Sequence, residues 1–222
     1  MTTTPSPTAG PDLRGFLMAH RGFRAEFGRL AAAARQVRDE AHAALIESQI
    51  DLVMHVLHHH HTAEDTSIWP DLVAKVPSAA PALDRLEAQH EEMDPLFTAV
   101  TDSTRSVAER AVDLQALHDL LNAHLDEEER VAVPLIQRHL SAAQWEKDGE
   151  EVTSSIDRRR LPQIFGWLGS ASTPGQRAEA LRTVPLVPRV LFRLAWWPAY
   201  QRRFRSLYGE VEMGPNPTRV LS

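Results

Sequence analysis

His60 is followed four residues later by Glu64, and His124 four residues later by Glu128. On an α-helix residues i and i+4 stand on one face, so each pair aims an imidazole and a carboxylate in one direction. Two further histidines, His20 and His90, fall on apolar stripes of their own. Four such helices packed together would bring four neutral nitrogen donors and two anionic oxygen donors into one core. Burying an unpaired polar group costs roughly 2–7 kcal/mol, and a bare carboxylate far more. Six such groups are a severe burden for a domain whose net stability is about 5–15 kcal/mol. A divalent metal relieves it, because it takes imidazole lone pairs and neutralises carboxylates. The six-donor set predicts a metal site, most naturally for two ions. Imidazole and carboxylate without thiolate suits Fe or Mn, with Zn behind them.

The elements that must hold these donors are legible from periodicity. A helix is expected from about Asp12 to Asp39 on the stripe Leu13, Phe16, His20, Phe23, Phe27, Leu30. A second, about Ala41 to Pro70, carries Ile50, Val53, Leu57, His60, Glu64, Ile68. A loop over Lys75–Pro81 separates it from a third, about Ala82 to Thr104, with Leu83, Leu86, His90, Met93, Phe97, Val100. A fourth, about Val107 to Leu140, carries Leu117, Leu121, His124, Glu128, Val131, Leu135. Long amphipathic helices with short loops and no period-2 alternation predict an all-α fold, an antiparallel up-down-up-down four-helix bundle with additional C-terminal helices. The chain also repeats itself. His60, Glu64, Asp65 and Pro70 recur as His124, Glu128, Glu129 and Pro134, each 64 residues on, which predicts a pseudo-twofold bundle.

Taken together, His20, the run from His60 to Asp65 with its Trp69-Pro70, His90, and the run HLDEE from His124 to Glu128 with its Val133-Pro134 resemble the hemerythrin-like, or HHE cation-binding, family, in its bacterial form. The resemblance covers about residues 12–140. It implies a non-haem di-iron centre, with Glu64 and Glu128 as bridging carboxylates and His20, His60, His90 and His124 as terminal ligands. It implies a small-molecule partner, O2, H2O2 or NO, and an activity such as catalase-like peroxide removal. An alternative within the same resemblance is an O2 or iron sensor that signals through the C-terminal extension. One position departs from the oxygen-carrying members, where a further histidine lies one turn after the third; here that residue is Asp94. Asp94 is either an extra oxygen ligand or a flank residue, and the shorter histidine set favours reaction with an oxidant over reversible O2 carriage.

Other polar residues compete for these roles. Glu129 is an alternative to Glu128 if the helix phase differs by one residue. In the run His58–His61 only His60 lies on the stripe, and His61, paired with Asp65 at i+4, defines a weaker alternative register. His58 is expected to face solvent, and His55 and His59 to sit on the flank. His42, His118 and His139 are read as structural.

Composition narrows the class. The 222 residues contain no cysteine, so disulfides, zinc–thiolate sites and iron–sulfur clusters are excluded, and a reducing, cytoplasmic location is expected. Residues 1–11 read as a disordered arm without the apolar segment of a secretory signal. No run of about 18 apolar residues suggests a transmembrane helix. Residues 1–150 hold 13 basic and 25 acidic side chains, a balance of −12, which argues against nucleic acid. Residues 151–222 hold 11 arginines and 5 acids, a balance of +6. This extension, 141–222, carries Trp196, Trp197, Tyr200, Phe204 and Tyr208 among arginines. It reads either as a membrane-surface helix or as a segment that packs its aromatics on the acidic bundle or a partner subunit; packing is preferred, because the opposite charge already offers a partner. The sequence sets no oligomeric state.

Overall fold

The computed structural model describes residues 10–155 and 157–214, and it is helical throughout, with no strand among the described residues. Four long segments form the bundle: α1 (Arg14–Ala34), α2 (Glu40–Ala63), α4 (Ala80–Thr101) and α5 (Ala111–His139), with a short α3 (Trp69–Lys75) continuing α2. In the square they form, α1 lies against α2 and α5, and α4 against α2 and α5.

The core is split along the bundle axis. One apolar cluster gathers Phe23, Phe27, Leu57, Met93 and Leu121; the other gathers Leu13, Ile68, Leu86 and Ala132. His20, His60, His90 and His124 lie between them in sequence. The order of clusters along the chain reverses from α1 to α2, again to α4, and again to α5. That reversal is the up-down-up-down topology, and it brings the polar residues of all four helices to one level. Short connections between antiparallel neighbours are what such a bundle needs.

Element ends differ from the periodicity reading for local reasons. The first helix stops at Ala34, short of Asp39, because Asp39 is extended and its carboxylate accepts a hydrogen bond from the His42 N–H (2.7 Å), capping α2. The second does not end at Pro70. It passes through a π-helical turn, Glu64–Ile68, into α3. Pro70 has no N–H, and its ring crowds the carbonyl four residues back. A widened turn, with the Trp69 N–H donating to the Glu64 carbonyl, accommodates it. The predicted loop at 75–81 is a 3₁₀ turn, Pro77–Ala79. The fourth helix begins at Ala111, and the buried Arg110 before it donates to the Val100 carbonyl (2.7 Å) and pairs with Glu47, tying the α4–α5 loop to α2. Beyond Glu128 the buried stripe is Ala132 and Ile136, with Val131 and Leu135 only half-buried, one residue out of phase with the prediction.

The extension forms α6 (Ala142–Ser155), α7 (Leu161–Ser170), α8 (Pro174–Thr183), α9 (Leu186–Leu191), a second π turn (Phe192–Trp196) and α10 (Trp197–Tyr208). The second π turn also precedes a Trp-Pro pair, Trp197-Pro198. α7 forms although it carries Pro162, Gly166 and Gly169, with Pro162 in its first turn. Its Trp167 is wholly buried against Phe23, ring centroids 5.1 Å apart. Gly166 permits close approach of α7 and α10: a Cβ there would lie 2.2 Å from Cγ of Tyr200. Tyr200, Phe204 and Leu207 of α10 are buried. Of the predicted N-terminal arm, residues 1–9 lie outside the described residues, while Pro11 is buried.

Candidate metal centre

The four helices deliver their histidines to one buried layer. His20 Nε2 and His60 Nε2 lie 3.1 Å apart, and so do His90 Nε2 and His124 Nε2. Glu64 spans the two pairs, with Oε1 3.1 Å from His60 Nε2 and Oε2 3.7 Å from His90 Nε2. Glu128 Oε2 lies 3.5 Å from both His20 Nε2 and His124 Nε2. All six residues predicted from sequence therefore meet, each carboxylate between a histidine of the first half-bundle and one of the second.

A seventh residue joins them. His61 is buried and stacks on His90, with ring centroids 3.9 Å apart and planes within 7°. Two donor groups result: His20, His60, Glu64 and Glu128 in one, His61, His90 and His124 in the other, the atoms of each within 4.8 Å of one another. The sequence offers His61 only as an alternative register to His60, and the structure places one of them in each group. Consecutive helix residues point about 100° apart. α2 sits at a corner of the square, so His60 faces α1 while His61 faces α4. Asp65 is not the partner of His61, and Asp94 is exposed and outside both groups. The second group thus draws its third histidine from α2 and none from position 94.

Acceptors behind the rings fix their tautomers. Asp65 Oδ1 lies 2.8 Å from His90 Nδ1, Glu129 Oε1 3.1 Å from His20 Nδ1, and Gln89 Oε1 2.9 Å from His124 Nδ1. Each acceptor requires Nδ1–H, which leaves the Nε2 lone pair facing the centre. Gln89 in turn donates from Nε2 to Glu127 (2.8 Å), so its oxygen is the atom that faces His124. Glu129 is therefore not a substitute for Glu128 but the partner of His20, and Arg24 holds it there (3.0 Å). The 64-residue repeat acquires a meaning: Asp65 orients the lone histidine of the second half, and Glu129 that of the first.

The electrostatics match metal binding. Burial and the neighbouring imidazoles hold His60 and His61 well below the usual histidine range and push His124 down to about 3, so these rings keep free lone pairs. Burial raises the Glu64 and Glu128 carboxyls, which also face each other. All four carboxylate oxygens and both nitrogens of His61 are buried without a hydrogen-bond partner. So many orphaned acceptors at one point are not a stable apolar core; they are a site that a cation completes. A family model for the hemerythrin HHE cation-binding domain matches residues 13–136. The chain belongs to this family. No curated protein and no solved structure matches it. The match ends at Ile136, and residues 141–222 lie beyond the matched region.

Among the described residues, the other histidines lie outside both donor groups. His58 is exposed, His55 and His59 are partly covered, and His42 is structural, donating from Nε2 to the Leu207 carbonyl (2.8 Å). His118 lies at the surface side of α5 beside Asp119. Of the described residues, no helix is long and apolar enough to cross a membrane.

Proposed function

We propose that this HHE protein is a non-haem di-iron protein that binds or reacts with a small oxidant, O2, H2O2 or NO. The supporting observation is the pair of buried carboxylates, Glu64 and Glu128, without hydrogen-bond partners and lying between two sets of imidazoles. His20 and His60 would hold one ion and His61, His90 and His124 the other, with Glu64 and Glu128 shared. Iron suits the donor set of imidazole and carboxylate without thiolate; Mn and Zn fit it less well. A bound pair of irons supplies two redox-active Lewis-acid centres to the oxidant.

The chain's own residues supply the rest. Asp65, Glu129 and Gln89 aim the rings. Phe16 (4.2 Å from the His20 ring centroid), Phe23 (5.4 Å from His60) and Phe97 (6.0 Å from His61) wall the centre with apolar surface. Catalase-like peroxide removal is the enzymatic form of this reading, at a cytoplasmic location. A second reading, a sensor, has one observation in its favour: Phe23 contacts both the His60 ring and Trp167, so the centre touches α7 of the extension through a single side chain.

The test is anaerobic loading with ferrous iron, iron quantification, and then mixing with H2O2, O2 or NO while absorption is followed. Two irons per chain and a change in absorption on mixing are expected. A chain that never holds more than one ion, or a Glu64→Gln/Glu128→Gln variant that holds iron as well as the parent, overturns the proposal. Sustained peroxide consumption marks the enzyme; stoichiometric reaction with altered protease sensitivity of the extension marks the sensor.

A further inference from the structure

The extension has two apolar faces, and the bundle covers only one. Phe192, Tyr200, Phe204 and Leu207 are buried. On the outer side Leu186 is 69% exposed, Val187 69%, Val190 43%, Leu191 43% and Leu194 77%; of the described residues, only Val112 and Val211 are other large aliphatics so exposed. Leu186, Val190 and Leu194 are spaced i, i+4, i+8, and Val187 and Leu191 i, i+4, so the five form one ridge along α9 and the π turn. A ridge of this kind left in water marks an interaction surface.

The charge around it selects the occupant. Residues 180–209 contain six arginines and no Asp or Glu. Arg182 and Arg193 are exposed beside the ridge, and Arg202 and Arg205 lie exposed further along α10. The half-buried Trp196 sits at the boundary between ridge and docked face. We infer that this ridge docks the protein on an anionic bilayer surface, with the aliphatic side chains entering the headgroup–acyl boundary and the arginines meeting lipid phosphates. A second protein surface fits less well: five side chains fall far short of the roughly 20–30 residues a side in a stable interface. A bilayer needs no complementary shape. The packed aromatics of α10 and the free aliphatics of α9 thus divide between them the two roles that the sequence left as alternatives.

Co-sedimentation of the full chain with phosphatidylcholine vesicles, with and without phosphatidylglycerol, tests this. Roughly ten-fold or greater preference for the anionic vesicles is expected, weakening at high salt. A Leu186→Ser/Val187→Ser/Leu194→Ser variant should lose that binding while keeping the parent's helical circular dichroism, since all three positions are exposed. Arg182→Glu/Arg193→Glu should lose the preference for anionic lipid. Val112→Ser, an equally exposed valine on the bundle, should leave binding unchanged. The inference is overturned if neither vesicle binds, if the ridge variant binds like the parent, or if sedimentation velocity shows self-association that the ridge variant abolishes.

Discussion

His60 and His61 stand side by side on α2 yet serve different groups, and this is the residue-level fact on which the centre turns. His61→Ala should lower the metal content from two ions per chain towards one, whereas Asp94→Ala, at an exposed position, should leave it unchanged; metal quantification after gel filtration separates the two. Asp65 and Glu129 contact the outer nitrogens of His90 and His20. Asp65→Asn or Glu129→Gln should therefore weaken metal binding by about 10–100-fold while leaving the stoichiometry at saturation intact, as competition with a chelator would measure. A variant that changes stoichiometry instead would place the acid in direct contact with the metal.

At the scale of elements, the contact between α7 and α10 has no slack. Gly166→Ala would drive a methyl group into the Tyr200 ring, and because Tyr200 is fixed between helices it cannot swing away. A loss of about 1–3 kcal/mol in urea-unfolding stability is expected, together with earlier protease cleavage in the extension. Gly149→Ala, where the added carbon meets nothing, is the control. The π turn after Glu64 is likewise a property of an element: the Trp-Pro pair that follows it dictates a wider turn, and the same pairing recurs at Trp197-Pro198. Pro134 lies inside an uninterrupted α5, so the repeat evident in sequence does not extend to this turn.

Across the whole molecule, Glu26 joins the bundle to its extension. Its buried carboxylate accepts from Gln49 Nε2 (2.6 Å) and from the Tyr208 hydroxyl (2.8 Å), linking α1, α2 and α10. Burial raises its pKa above the ordinary 4.5, despite Arg29, Tyr208 and Gln49, which act the other way. A raised folded value means that the group's contribution to stability is full below 4.5 and is lost as pH rises through the folded value. Stability of the parent relative to Glu26→Gln should therefore fall as pH rises from below 4.5 towards neutrality. Chemical unfolding of both proteins across that range checks it; a difference independent of pH would mean that Glu26 titrates as it does in the unfolded chain.

Periodicity alone exposes the four helices, their apolar stripes and the six candidate donors His20, His60, Glu64, His90, His124 and Glu128, because it is a local property and a polar residue on a core stripe stands out against it. The places of His61, Asp65 and Glu129 follow from packing between helices. His61 lies one residue off the stripe, and it becomes a core residue only because α2 occupies a corner facing two neighbours at once. From sequence Asp65 reads as a partner of His61 and Glu129 as a rival to Glu128, until packing brings His90 and His20 against them from other helices. The same holds for the extension: its composition favours a docked helix over a lipid-facing one, but which residues turn inward depends on the groove that α1, α2 and α7 present to α10, which no window of sequence contains.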